Sequence, residues 1–68
     1  MNQQLHDLRT NAGLSQTSLA IQAGLNPAVL NRVERGVRPS KQTAQKIAQA
    51  LNVTPETLFR DYASYRAY

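Results

Sequence analysis

Apolar residues recur along this chain at spacings of three and four, and each such stretch lies between residues that start and stop helices. From Asn2 to Ala12, Leu5, Leu8 and Ala12 fall on one helical face, and Gly13 follows where a left-handed terminus favours glycine. Ser15 can cap a second helix through its hydroxyl; Leu19, Ala20 and Ala23 form its buried stripe, and Gly24 stops it. Asn26 followed by Pro27 is a cap with proline at the first helical position, Leu30 and Val33 supply the apolar side, and Gly36 closes this third helix. Ser40 caps a fourth, in which Ala44, Ile47, Ala48 and Leu51 repeat until Asn52. Thr54 and Pro55 repeat the cap-proline start for a fifth, carrying Leu58, Phe59 and Tyr62. No stretch alternates with a period of two, so the pattern predicts an all-α, compact five-helix fold without strands.

Every connection between these elements is a few residues long, with no repeat, linker or low-complexity tract, so residues 1–68 are expected to form one domain. The second and third helices are joined by about three residues around Gly24, which forces a steep crossing rather than an antiparallel pair. Gly24 supplies the positive φ of the turn and Ala20 is small enough for close approach, while Leu19, Ala23, Leu25, Leu30 and Val33 pin the pair to the core. The segment from Gln16 to Arg35 therefore reads as a helix-turn-helix.

At 100° per residue, Leu30 and Val33 of the third helix point one way, and Ala28, Asn31, Arg32 and Arg35 point the other, toward solvent. A small apolar residue, an amide and two guanidiniums can meet a thymine methyl, adenine and guanine edges, and phosphate oxygens. Taken singly, Asn31 reads as an ordinary exposed polar residue, and Arg32 is open between a base edge and a phosphate.

Charge strengthens this reading. Eight Lys and Arg against four Asp and Glu leave a net charge of +4 on 68 residues, which favours a polyanionic partner. Arg32, Arg35, Arg38, Lys41 and Lys46 cluster in one stretch whose only acid is Glu34, although a solvated basic face has the same composition. The chain has no cysteine and one histidine, His6, so neither a disulfide framework nor an ordinary zinc site is expected, and no other cofactor is implied. His6 reads as a surface residue. Without paired acids or a glycine-rich phosphate loop, no catalytic constellation is available and an enzyme is not expected. MNQQLHD lacks the basic-then-apolar order of a leader, and no run approaches the roughly 20 apolar residues of a membrane span; the expectation is a cytoplasmic, unprocessed protein without a membrane partner.

The run GLSQTSLAIQAGLNPAVLNRVERG, followed by PSKQTAQKIAQALNVTPETLF, resembles the Xre family of helix-turn-helix regulators, kin to the phage lambda repressor. The likeness extends from Leu5 to Phe59 and rests on LSQ, LA, AG, ERG and KIAQAL at the family's spacing. It implies a lambda-repressor-like five-helix domain that binds double-stranded operators, inverted repeats, as a homodimer. By position, Gln16 resembles the family glutamine that bonds the DNA backbone and braces the reading helix, with Thr17 beside it in the DNA-binding set. Ala28 and Arg32 resemble base-facing positions, and Arg35 a phosphate-facing one. Pro27 departs from the phage repressors, which carry a glutamine reader there, so specificity is expected to shift to Ala28, Val29, Asn31 and Arg32. The connection after Gly36 is also shorter, which leaves phosphate contact as the reading for Arg38 and Lys41.

Arg9 and Glu34 resemble a buried ion pair that in some relatives ties the first helix to the end of the third; Glu34 could instead be solvated or pair with Arg38. In the tail FRDYASYRAY, Phe59, Tyr62 and Tyr65 suggest an aromatic stripe along the fifth helix. Phe59 and Tyr62 are expected to finish the core, leaving Tyr65 and Tyr68 for a dimer contact. The functional expectation is a transcriptional regulator, a repressor or controller. Its alternative is an antitoxin-like module that holds a toxin and regulates its own promoter.

Overall fold

The computed structural model describes residues 1–65. Five α-helices follow one another: α1 (Gln3–Asn11), α2 (Gln16–Ala23), α3 (Pro27–Glu34), α4 (Lys41–Ala50) and α5 (Pro55–Leu58). A single 3₁₀ turn, Tyr62–Ser64, follows them. No strand occurs among the described residues.

The chain starts and stops its helices where side chains can satisfy the free backbone groups. The side chains of Asn2, Ser15, Asn26 and Ser40 accept hydrogen bonds from Leu5, Ser18, Ala28 and Thr43 N–H respectively, each removing an orphan donor from a first turn. At the other end of α2, Gly24 is left-handed (φ 70°, ψ 33°). Its N–H donates to Ile21 O at 3.1 Å and Leu25 N–H donates to Ala20 O at 2.8 Å, the paired bonds of a Schellman closure. The same pair of bonds closes α1, α3 and α4. In α4 the left-handed residue is Asn52 (φ 59°), the residue type other than glycine that adopts this conformation most readily.

These closures turn the apolar faces inward. Leu5, Leu19, Ala20, Leu30, Val33, Ala44, Ile47, Ala48, Leu58 and Phe59 form one buried cluster, in which α2 packs against both α3 and α4, and α4 against α5. Ala20 is fully buried; a larger side chain at this position would meet a close-packed interior.

Two sequence expectations change. On α1 the buried residues are Leu5 and Arg9, Leu8 is half-buried, and Ala12 is the exposed C-cap. The inward face thus carries a charged group that an apolar pattern passes over. The fifth helix was expected to continue through Tyr62, yet it ends at Leu58, because Phe59 turns extended (φ −132°, ψ 109°). This turn lets Leu58 and Phe59 both bury their side chains, where a continuing helix would point them about 100° apart. Asn2 Nδ2 donates to the freed Leu58 carbonyl at 3.0 Å. The Tyr65 ring then folds back to 5.6 Å from that of Phe59 and 6.0 Å from that of Tyr62. Tyr68, the other tyrosine expected at a dimer contact, lies outside the described residues.

An added Cβ at Gly24 would meet nothing within 4 Å, so a substitution there costs backbone energy and not a clash. Gly24→Val is expected to destabilise the fold by on the order of 1–2 kcal/mol, lowering the thermal midpoint by roughly 4–16 °C. Gly24→Asn should lose clearly less. Equal midpoints for all three proteins would contradict the left-handed turn.

Candidate nucleic-acid interface

The interface is built from a buried charge outward. Glu34, at the end of α3, is 3% exposed, and Arg9 of α1 is 8% exposed. Arg9 Nε donates to Glu34 Oε2 at 2.8 Å and Nη2 to Oε1 at 2.9 Å, a two-point fork that fixes direction as well as distance. Arg9 Nη1 donates to the Leu14 carbonyl at 2.8 Å, so the same guanidinium also holds the α1–α2 connection. His6 was expected at the surface, but its Nδ1 lies 2.9 Å from Glu34 Oε1. An ionised carboxylate only accepts, so Nδ1 carries the hydrogen. Burial alone would push the Glu34 carboxyl up. The hydrogen bonds from Arg9 and His6 and the nearby guanidinium charge outweigh it, with Gln16 adding to them, so Glu34 titrates below the usual carboxylate value. The Glu34 hydrogen bond pushes Arg9 up in turn, against its own desolvation.

With its inner side so anchored, α3 presents Pro27, Ala28, Arg32 and Arg35 to solvent, and Thr17 of α2 is exposed as well. Two residues expected on that open face are not fully on it. Val29 is half-buried and packs on the core. Asn31 is also half-buried, and its Nδ2 donates to Gln16 Oε1 at 3.1 Å. The structure thus brings Gln16 and Asn31 together, and leaves the side chains of Arg32 and Arg35 without a hydrogen bond or ion pair among the described residues, with Ala28 exposed on the same helix.

Arg38 and Lys41 turn elsewhere. Arg38 Nη2 donates to Ser64 Oγ at 3.2 Å and lies 3.5 Å from Asp61 Oδ2; its guanidinium carbon is 4.8 Å from the centre of the Tyr65 ring. Lys41 Nζ stands 5.6 Å from the centre of the Tyr62 ring. Both cations therefore rest on the segment after α5, a placement that composition does not reveal, because Asp61 and Ser64 follow Arg38 by more than twenty positions. His6 was likewise missed, although its place three residues before Arg9 on α1 was the available signal. Glu34 pairs with Arg9 and His6 instead of Arg38.

Among the described residues, no cluster of His, Cys, Asp and Glu could hold a metal ion, and no helix is long and apolar enough to cross a membrane. A family model described as helix-turn-helix matches residues 5–58, from within α1 to the end of α5. Comparison with curated proteins and with solved structures gives no match.

The Glu34 pairing contributes its full stability above the unfolded glutamate value of about 4.3. That contribution is lost as pH falls through the lower folded value. Glu34→Gln, which strands the Arg9 charge, should cost about 3–5 kcal/mol at neutral pH and flatten the acid limb of the stability curve. Replacing both partners, as Arg9→Met with Glu34→Leu, should recover most of the loss. Denaturant unfolding of the three proteins between about pH 3 and 7 measures this, and a double variant no better than Glu34→Gln would contradict it.

Proposed function

The chain belongs to the Xre and lambda-repressor-like helix-turn-helix family of DNA-binding transcription regulators, and we propose that it reads a specific operator through the major groove with α3. The observation that carries this reading is the solvent-facing set Ala28, Arg32 and Arg35 on a short helix whose other side is locked by Glu34 and the core. A helix so anchored can enter the groove with its exposed side chains already aimed. Arg32, on the same face one turn after Ala28, reads a guanine edge, and Ala28 meets a thymine methyl. Arg35, at the C-cap of α3, together with Gln16 and Thr17 at the start of α2, holds phosphates.

The protein acts as a homodimer on an inverted repeat, because one two-turn reading helix makes too few base contacts for useful specificity. Arg38 and Lys41 add phosphate contacts, exchanging their aromatic and polar neighbours in the tail for the stronger field of the duplex. Binding, without catalysis, is then the whole activity of the chain, with repression following from occupancy of a promoter.

Three outcomes follow for the 68-residue chain. Selection from random duplexes should yield inverted repeats with half-site centres about 10 base pairs apart, and recovery of unpaired half-sites alone would contradict the dimer. Arg32→Ala should cost on the order of 1–3 kcal/mol on the selected operator and relax one base pair per half-site, with scrambled DNA much less affected. Lys41→Ala should weaken both DNAs alike and reduce the slope of log K against log salt by about one per subunit. Titrations on both duplexes at several salt concentrations separate these effects. An equal loss on the two DNAs would make Arg32 a phosphate clamp.

A further inference from the structure

The first turn of α3 carries two consecutive exposed residues, Pro27 and Ala28, and neither has a polar atom in its side chain. Their backbone adds no donor. Proline has no N–H, and the Ala28 N–H donates to Asn26 Oδ1 at 2.9 Å. The next N–H, of Val29, donates to Asn26 O at 2.9 Å. A turn whose N–H groups stay free can hold a phosphate, but here the cap closes them. What these two positions turn to solvent is a pyrrolidine ring and a methyl group.

Against the base edges of a major groove, such a surface has one favourable counterpart. The purine N7, the carbonyl oxygens and the amino groups all need hydrogen-bond partners, whereas the C5-methyl group of thymine gains from apolar contact. A polar edge covered by carbon alone loses free energy. 5-Methylcytosine carries the same methyl group at the same ring position, beside an amine in place of the thymine O4. Neither Pro27 nor Ala28 has a group that tells that amine from that oxygen. We propose that Pro27 and Ala28 read the C5-methyl group of one pyrimidine in each half-site, so that thymine and 5-methylcytosine are both favoured over their unmethylated counterparts, uracil and cytosine. An operator with cytosine at that position is then bound more tightly once the cytosine is methylated. The inference rests on the proposal that α3 lies in the major groove, and it extends the thymine contact of Ala28 to Pro27 and to methylated cytosine.

The test uses the 68-residue chain on an operator selected from random duplexes, with deoxyuridine replacing each thymidine of a half-site in turn. One position should be sensitive, with a loss of about fourfold per half-site, the value of one buried methyl group. At that position 5-methylcytosine should bind about fourfold more tightly than cytosine. Each comparison leaves the opposite purine unchanged, so the contribution of side chains that read the purine cancels. Pro27→Ala and Ala28→Gly should each move both ratios toward one. A change in helix stability acts equally on both members of a pair and leaves the ratios where they were. Indifference to the methyl group at every pyrimidine of the half-site, or a gain from it on uracil but none on cytosine, would overturn the methyl reading; α3 would keep its place in the groove if Arg32→Ala still relaxed one base pair. Ratios unchanged in both variants would overturn the assignment to Pro27 and Ala28. A selection without any consensus would overturn the major-groove proposal and this inference with it.

Discussion

The Glu34 carboxylate is taken almost wholly out of water, and two side chains of α1 are arranged to make that tolerable. A buried charge costs several kcal/mol unless its lone pairs are met, and here the Arg9 fork and the His6 ring from α1 meet them at 2.8–2.9 Å. Such pairs contribute more to geometry than to net stability. Rotating α3 by even a small angle would break the two-point contact, so the helix is held in one rotational setting about its axis. The same guanidinium reaches Leu14 O, and Asn2 N–H donates to Glu34 O at 2.8 Å. Both ends of α1 are thereby referred to the end of α3.

From that setting the outward face follows. With Leu30 and Val33 in the core and Glu34 on α1, the positions left for solvent are those of Pro27, Ala28, Arg32 and Arg35. Nearby, Arg38 and Lys41 are drawn toward Asp61, Ser64 and the tyrosines of the segment after α5. The Arg38 and Asp61 side chains are 55% and 75% exposed, and ion pairs that open to water are weak. They orient the cations without committing them, so that the proposed phosphate contacts would compete for the same charges.

Most of the fold was legible because its signals are local. Ser15, Asn26 and Ser40 act within three residues of themselves, and Gly24 announces the turn without reference to anything distant. What escaped depends on contacts between remote parts of the chain. Helix five stops short because Asn2 takes the Leu58 carbonyl and the core takes Phe59, an outcome of tertiary packing that no propensity contains. His6 and Asn31 looked like surface residues for the same reason: their partners, Glu34 and Gln16, sit on other helices. The Arg9–Glu34 pair was suggested by family resemblance; hydrophobic periodicity alone would have left both residues outside.

We propose that an inwardly anchored α3 presents its outer face to duplex DNA. Backbone amide shifts of the labelled protein, titrated with a selected operator duplex, test it most directly. The largest changes are expected at Gln16, Thr17 and residues 28–35, with the outer positions of α4, Gln45, Lys46 and Gln49, nearly unmoved. Changes concentrated on that α4 face, with α3 silent, would contradict it.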